Sequence, residues 1–250
     1  MNEFLAMEEI KNSLFDALSD MSFSEFSEEC CNDLLDALRG VKWDYDWEYG
    51  ATKIVIMPKN MDFVVKIPFL GHVIEEEPDV DCSECPYRDE NGCDSCCYDS
   101  EWVFREFCCA GDIFDEWDYC KAEKDRYNHA KEFGLEKALA ETQLWFVVNN
   151  YPIYIQPKCS IFSQGGRSKT DLTEITDEKR KTIRSKCDEQ DVHCFNVTWL
   201  CDLFEYFGDV YFEQFLSFLK ENNYNRDLHS SNIGYLNGKP VLVDYSGFYD

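Results

Sequence analysis

The chain has 250 residues, enough to bury a hydrophobic core, and no apolar run approaches the ~18 residues that a membrane-spanning helix requires. Its 50 acidic and 24 basic residues give a formal net charge of -26, which argues against binding to duplex nucleic acid or to anionic lipid. Residues 1–10 carry Glu3, Glu8 and Glu9 and no basic stretch, so no secretory signal is predicted and we expect a cytoplasmic protein. In a reducing compartment the 14 cysteines favour metal ligands or buried thiols over disulfides.

The first third of the chain changes from a helical to a β pattern. Apolar spacing predicts two helices within residues 1–41, the second ending at Gly40. A hairpin follows, with strands at Ala51–Met57 and Asp62–Phe69, and its second strand carries Lys66. An acidic, cysteine-rich stretch at about residues 72–111 then interrupts the regular pattern, and we interpret it as an insertion.

The rest of the chain alternates between the two patterns. Helical spacing returns between Asp115 and Leu139, where Gly134 is expected to end the first of two helices. Later elements are predicted in this order: a hairpin at Gln143–Val148 and Tyr151–Gln156, a polar loop with an exposed helix at Ser160–Gln190, helices at Val197–Phe207 and Val210–Lys220, and a hairpin around Asn237-Gly238. The apolar strand that follows ends at Asp244.

Residues suited to phosphoryl transfer occur in order along these elements: Lys66, Glu123, Asp227, Asn232 and Asp244. Phosphoryl transfer requires a lysine on the nucleotide phosphates, a carboxylate that holds it, an aspartate beside the attacking hydroxyl, and oxygen ligands for Mg²⁺. Each residue alone has a structural alternative, since lysine protects sheet edges and Asp and Asn form turns. Glu116 and Glu132 lie on neighbouring turns and are alternatives to Glu123 for the carboxylate that holds the lysine. The joint order of the residues favours phosphoryl transfer.

Three segments resemble motifs of the protein-kinase-like superfamily. Val64–Ile67 is similar to its third-strand lysine motif, Asn225–Asn232 to its catalytic loop, and Asp244–Gly247 to its metal-binding aspartate motif. The Asp-Leu-His-x-x-Asn form is closer to aminoglycoside kinases and other atypical small-molecule kinases. The chain as a whole is most similar to small kinase-like proteins of bacteriophages, which implies the cytoplasm of an infected bacterial host.

The resemblance covers roughly Trp43 to Asp250 and implies an α+β, two-lobed protein-kinase-like fold. A small antiparallel sheet lobe is expected at residues 42–158, with the cysteine-rich insertion unmatched, and a reduced helical lobe at residues 159–250. The sequence continues only to Asp250, so the peptide-docking platform of protein kinases is expected to be missing. A protein partner that completes the short helical lobe is therefore expected.

The resemblance also implies roles for individual residues. Lys66 contacts ATP, Glu123 holds Lys66, Asp227 is the catalytic base, and Asn232 and Asp244 bind Mg²⁺. At the hinge, where backbone groups meet adenine, stand Gln156 and Lys158, although Pro157 between them also suits a simple strand exit.

Other residues at these motifs depart from the family pattern. Gly50 precedes the first clear strand without the further glycines of a phosphate-covering loop, so phosphate coverage by this loop is doubtful. Asn225 replaces a histidine that mostly packs the loop, and Ser246 replaces a glycine, which would restrict movement after Asp244. His229 is expected to brace the catalytic loop rather than to transfer a proton.

The insertion carries two Cys-x-x-Cys pairs, Cys82 with Cys85 and Cys93 with Cys96. Two such pairs present four thiolates to a tetrahedral Zn²⁺, so a structural zinc site is predicted. Cys97 is an alternative to Cys96, and Cys108 and Cys109 are further candidate ligands. Free thiols and disulfides remain as alternatives to zinc.

The leading hypothesis from the sequence is a Mg²⁺-ATP-dependent phosphotransferase that acts on a protein or small-molecule acceptor. The first alternative is a pseudokinase or nucleotide-binding interaction protein, because the short helical lobe and poor glycine loop are what loss of turnover would look like. A third, from another class, is an acidic decoy that mimics nucleic acid by its charge.

Overall fold

A computed structural model describes residues 3–19, 34–50, 52–68, 73–75, 102–104, 118–149, 151–162, 175–222 and 228–246. These residues form an α+β fold in which a five-stranded antiparallel sheet is followed by helices and a smaller antiparallel sheet. Among the described residues we find no helix with the length and hydropathy needed to cross a membrane.

The strands are, in chain order, β1 (Tyr45–Tyr49), β2 (Lys53–Pro58), β3 (Phe63–Pro68), β4 (Val73–Glu75), β5 (Trp102–Phe104), β6 (Gln143–Val148), β7 (Tyr151–Pro157), β8 (Ser160–Ile161), β9 (Ile233–Leu236) and β10 (Lys239–Leu242). The helices are α1 (Glu3–Ser19), α2 (Tyr119–Glu132), α3 (Asp177–Glu189), α4 (Val197–Phe207) and α5 (Asp209–Glu221). Residues 34–38 are also helical, and Glu136–Ala138 form a single 3₁₀ turn.

The main sheet has the strand order β1-β2-β3-β7-β6, and every neighbouring pair is antiparallel. Both predicted hairpins of this sheet are confirmed, and Asn60 and Asn149 adopt positive φ angles of 63° and 49° in their turns. Strand β1 was not among the predicted strands, although its Tyr-Asp-Trp-Glu-Tyr sequence alternates with the period of a strand.

The side-chain alternation of β2 and β3 divides the sheet into two faces. Ile54 and Ile56 of β2 and Val65 and Ile67 of β3 are buried against the N-terminal helices. These helices contribute Ile10, Leu14 and Leu18 of α1 and Leu34 and Leu38 of the second helical segment. Because successive side chains point to opposite faces, Lys53 and Lys66 are directed to the other face of the sheet.

A second hydrophobic core lies among α3, α4, α5 and the C-terminal strands. Its largest fully buried side chains are Trp199, Phe212, Phe215 and Tyr245. Trp199 Nε1 donates to the carbonyl of Gly234 at 3.1 Å, which fastens α4 to β9. The polar segment before α4 is not wholly exposed as predicted, because Ile183 and Cys187 of α3 are buried in this core.

The two cores are connected where the chain enters β6. Leu139 forms a parallel bridge with Leu242, and the backbone N–H of Ala140 donates to the Leu242 carbonyl at 2.8 Å. This contact carries the end of β10 to the main sheet, so Asp244 lies beneath the strands that bear Lys53 and Lys66.

The paired strands β4 and β5 lie within the predicted insertion, and Val73 is opposite Phe104. Residues 76–101, with Cys82, Cys85, Cys93 and Cys96, lie outside the described residues. The zinc site therefore stays a prediction.

Candidate functional site

A cavity of about 420 Å³ separates the polar face of the main sheet from the C-terminal strands. Several predicted site residues line it: Gly50, Lys66, Gln156, Lys158, His229, Asn232 and Asp244. Lys53 and Ser246 also line it, although neither was among the predicted site residues.

Lys66 and Glu123 form a buried ion pair at the wall of the cavity. Lys66 Nζ lies 2.7 Å from Glu123 Oε2, and the two side chains are 3% and 0% exposed. The same ammonium donates to the carbonyl of Val243 at 3.1 Å. Thr142 Oγ1 donates to Glu123 Oε2 at 2.6 Å, so the carboxylate is held from β3 and from the segment before β6.

Helix α2 places Glu123 through contacts at its start and along its side. Asp118 caps the helix by accepting from the backbone N–H of Lys121 at 2.9 Å, and it also accepts from the Tyr154 hydroxyl. Burial raises the pKa of Asp118 above its ordinary value. Arg126 donates to the Tyr245 carbonyl at 3.0 Å, which joins the helix to the residue that follows Asp244.

Lys53 is a second buried cation at this site, and the sequence analysis did not identify it. Its Nζ lies 2.8 Å from Glu123 Oε1 and 2.9 Å from Asp244 Oδ1, so it bridges two carboxylates. Burial alone would lower the pKa of Lys53, but the charges of Glu123 and Asp244 outweigh burial and raise it above 10.5. The predicted hairpin already indicated that Lys53 faces the same side of the sheet as Lys66. Lys53 lies two residues before Val55, and Val55 pairs with Lys66.

Asp244 is the more accessible of the two carboxylates in this cluster, with a side chain that is 33% exposed. Burial would raise its pKa, but the ammonium groups of Lys53 and Lys66 hold the pKa well below its ordinary value. Ser246 Oγ donates to Asp244 Oδ1 at 3.1 Å and lies 3.2 Å from Lys53 Nζ. The serine that replaces the expected glycine therefore takes part in the polar cluster.

Asn232 and Asp244 are held side by side by backbone hydrogen bonds. The Asn232 carbonyl accepts from the N–H groups of Val243 and Asp244 at 2.8 and 3.3 Å. Both side chains line the cavity and carry oxygen donors, the ligand type that Mg²⁺ prefers. Within the described part of the chain, no group of three or more His, Cys, Asp or Glu side chains could hold a metal ion.

The side chain of Gln156 connects the sheet to the strand that leads to Asp244. Its Nε2 donates to Val243 O at 2.9 Å, to Thr142 Oγ1 at 2.9 Å and to Ala140 O at 3.2 Å. The backbone N–H of Lys158 donates to the Asp62 carbonyl at 2.8 Å, so this amide is used within the protein. Gln156 and Lys158 thus line the predicted base-binding end of the cavity, but the Lys158 N–H already has a partner.

The loop that the sequence analysis assigned to catalysis is described from Leu228 onward. Asn196 Nδ2 donates to the Leu228 carbonyl at 2.8 Å, and the Asn232 N–H donates to the His229 carbonyl at 3.0 Å. His229 Nδ1 lies 2.7 Å from Ser231 Oγ, a contact within the loop, and its role in bracing the loop stays a prediction. Asp227 lies outside the described residues.

No protein-family model, curated protein or solved structure matches this chain.

Proposed function

We propose that the protein is a Mg²⁺-ATP-dependent phosphotransferase with a two-lobed fold of the protein-kinase-like superfamily. One observation carries the proposal: Lys66, on the third strand of the main sheet, forms an ion pair with Glu123 at the wall of a cavity that Asp244 also lines. In protein kinases a third-strand lysine pairs with a helix glutamate, and both must be in place with the metal-binding aspartate for activity.

Each residue of this cluster has a role in the proposed reaction. The Lys66 ammonium neutralises phosphate charge, and Glu123, fixed by Thr142, keeps that ammonium in position. Water does not reach the ion pair, because the Glu123 side chain is 0% exposed. The attraction between the two charges is therefore weakly screened.

Asn232 and Asp244 are the residues that would hold magnesium. One carboxylate and one amide oxygen fit the way in which proteins share Mg²⁺ with substrate phosphates rather than enclosing it. When bound, the ion neutralises charge on the transferred phosphoryl group.

The proposed acceptor is a hydroxyl group on a protein or a small molecule. Its oxygen attacks the γ-phosphorus, its proton passes to the Asp227 carboxylate, and ADP leaves with the electrons of the broken P–O bond. The residues that follow Asp227 are held by hydrogen bonds at Leu228 and Asn232, which fixes the position of this part of the loop.

Calorimetry with Mg²⁺-ATP, together with measured ADP formation, tests the proposal on the full chain. We expect wild type to bind and turn over ATP, Lys66→Met to bind it at least 10-fold more weakly, and Asp227→Asn to keep its affinity but lose 10²–10⁴-fold in rate, roughly the range for a general base. Lys59→Met is the matched control, because Lys59 lies just after β2 with its side chain 50% exposed. Undetectable Mg²⁺-ATP binding by wild type would contradict the proposal.

A second candidate function, nucleotide binding without turnover, is favoured by the contact between Lys53 and Asp244. The ammonium lies 2.9 Å from Asp244 Oδ1 and would compete with a divalent ion for this predicted metal ligand. The two functions differ in one result. If wild type binds Mg²⁺-ATP but transfers phosphate to no protein, small molecule or water, and Asp227→Asn behaves identically, the protein is a nucleotide-binding protein.

A further inference from the structure

Two lysines that line the cavity, Lys53 and Lys66, both pair with Glu123, although one lysine would suffice for that ion pair. Lys66 contacts Glu123 and the Val243 carbonyl, whereas Lys53 contacts Glu123, Asp244 and Ser246. Lys53 is therefore the cation held directly on the predicted metal ligand. This arrangement balances charge in the free protein, but a second cation on Asp244 would leave Lys53 with Glu123 as its carboxylate partner and one negative charge fewer.

The loop next to Lys53 is short, and its first N–H is used within the protein. Only residues 50–52 separate β1 from β2, and the N–H of Gly50 donates to the Lys53 carbonyl at 3.0 Å. Anion-binding loops work by pointing several free backbone N–H groups at the phosphate oxygens. A side-chain cation at the first residue of β2 would add positive charge beside this short loop.

We propose that Lys53 is a second phosphate-binding cation, held by Asp244 in the free protein and transferred to the nucleotide phosphates on binding. The inference rests on the proposed function and adds to it a residue outside the motifs that suggested it. Asp244 and the phosphates compete for the same ammonium, so the carboxylate weakens the binding of metal-free nucleotide. For the same reason Lys53 weakens the binding of a divalent ion in the absence of nucleotide.

The proposal predicts an unusual effect of Asp244→Asn. This substitution removes a predicted metal ligand, so it should weaken binding of Mg²⁺-ATP. It should also release Lys53 and strengthen binding of ATP in EDTA, on the order of 10-fold or more, as expected for a charge-assisted hydrogen bond. Adding Lys53→Met to Asp244→Asn should abolish the gain, while affinity for adenosine stays the same in all variants.

Isothermal titration calorimetry with ATP in EDTA and with adenosine tests this on wild type, both single variants and the double variant. Lys59→Met is again the control, because it removes the same charge from an exposed position. The double variant removes one charge of each sign, so its comparison with Asp244→Asn stays informative even if Lys53→Met alone does not fold. Electron paramagnetic resonance of Mn²⁺ without nucleotide provides a second readout, in which Lys53→Met should bind Mn²⁺ more tightly than wild type.

Equal affinity of Asp244→Asn and the double variant for ATP in EDTA, with Lys66→Met still weakening Mg²⁺-ATP, would overturn the role of Lys53 and leave the proposed function intact. Failure of wild type to bind ATP with or without Mg²⁺ would overturn both. Tighter binding of ATP in EDTA by Asp244→Asn, with the gain lost again in the double variant, supports the transfer of Lys53 from carboxylate to phosphate.

Discussion

Glu123→Gln tests the electrostatics of the site without reference to any ligand. The carboxylate accepts from Lys53, Lys66 and Thr142 at 2.8, 2.7 and 2.6 Å. Glutamine keeps the shape of the side chain but removes the charge that compensates two buried ammonium groups. Removing one partner of a buried ion pair costs about 3–5 kcal/mol, so we expect that loss in the free energy of unfolding at pH 7. For a chain of this size the melting temperature should fall by about 6–20 °C.

The size of this loss should depend on pH. In wild type the carboxylates raise the Lys53 pKa above 10.5, so the stabilisation is complete below that pH and is lost only above it. In Glu123→Gln one of the two carboxylates that raise the Lys53 pKa is gone, so burial lowers that pKa. Raising the pH then lets the buried lysine lose its proton. The difference in unfolding free energy between variant and wild type should therefore shrink between pH 7 and pH 10.

Urea denaturation followed by circular dichroism measures both effects. Glu132→Gln is the matched control, because Glu132 lies on the same helix and is exposed. Its free energy of unfolding should stay within about 0.5 kcal/mol of wild type. A loss below about 1 kcal/mol for Glu123→Gln, or a loss that grows with pH, would refute the assignment of Glu123 as the shared partner of the two lysines.

Three further substitutions test the supports of the site by urea denaturation. Tyr154→Phe removes the hydroxyl that donates a hydrogen bond to Asp118. We expect the free energy of unfolding to fall by about 1–3 kcal/mol, because the buried carboxylate that caps α2 loses a donor. Gly234→Ala would place a Cβ 2.6 Å from the Ser160 carbonyl oxygen, so it should cost about 1–3 kcal/mol and separate β8 from β9. Asp244→Asn should be less stable than wild type at pH 7. The difference should shrink as the pH falls below about 4 and vanish only below the lowered folded-state pKa, because the contribution of Asp244 is complete above the pKa of the unfolded chain and is lost between the two values.

Controls for the first two substitutions exist at open positions. Tyr206 is 55% exposed, and a Cβ on Gly40 would meet nothing closer than 3.8 Å. Tyr206→Phe and Gly40→Ala should therefore leave the free energy of unfolding nearly unchanged. A loss in these controls equal to that of Tyr154→Phe or Gly234→Ala would contradict the packing argument. For Asp244→Asn, a stability difference that does not shrink between pH 5 and pH 2 would contradict the sign of the pKa shift.

The local elements were predictable because their signals lie within short windows of sequence. Both hairpins of the main sheet have turn residues between alternating apolar runs, and α4 and α5 have apolar stripes at helical spacing. Gly134, with a φ of 72°, follows the end of α2 as predicted. Strand β1 was missed because its acidic residues have low β propensity, and its pairing with β2 compensates for that.

Lys53 was harder to predict, because its partners are set by the tertiary fold. It lies 70 positions from Glu123 and 191 from Asp244 in the sequence, and no local pattern links residues so far apart. A lysine that starts a strand is usually exposed, which made Lys53 look unremarkable beside the motif that contains Lys66. Its burial follows from strand parity, which places it on the cavity face, and from the contact between Leu139 and Leu242 that brings Asp244 beneath it.

The same contacts connect the stability of the fold to the chemistry of the site. Glu123 comes from α2, the lysines from β2 and β3, and Asp244 from the segment after β10, so the cluster forms only when all four meet. Isolated, each charge would be costly to bury, and together they neutralise one another. A ligand that draws Lys53 away from Asp244 must therefore supply a replacement charge at both groups. A nucleotide phosphate paired with a divalent cation supplies both charges at once, whereas a phosphate alone leaves Asp244 without a cation and a divalent cation alone leaves Lys53 with Glu123 as its carboxylate partner.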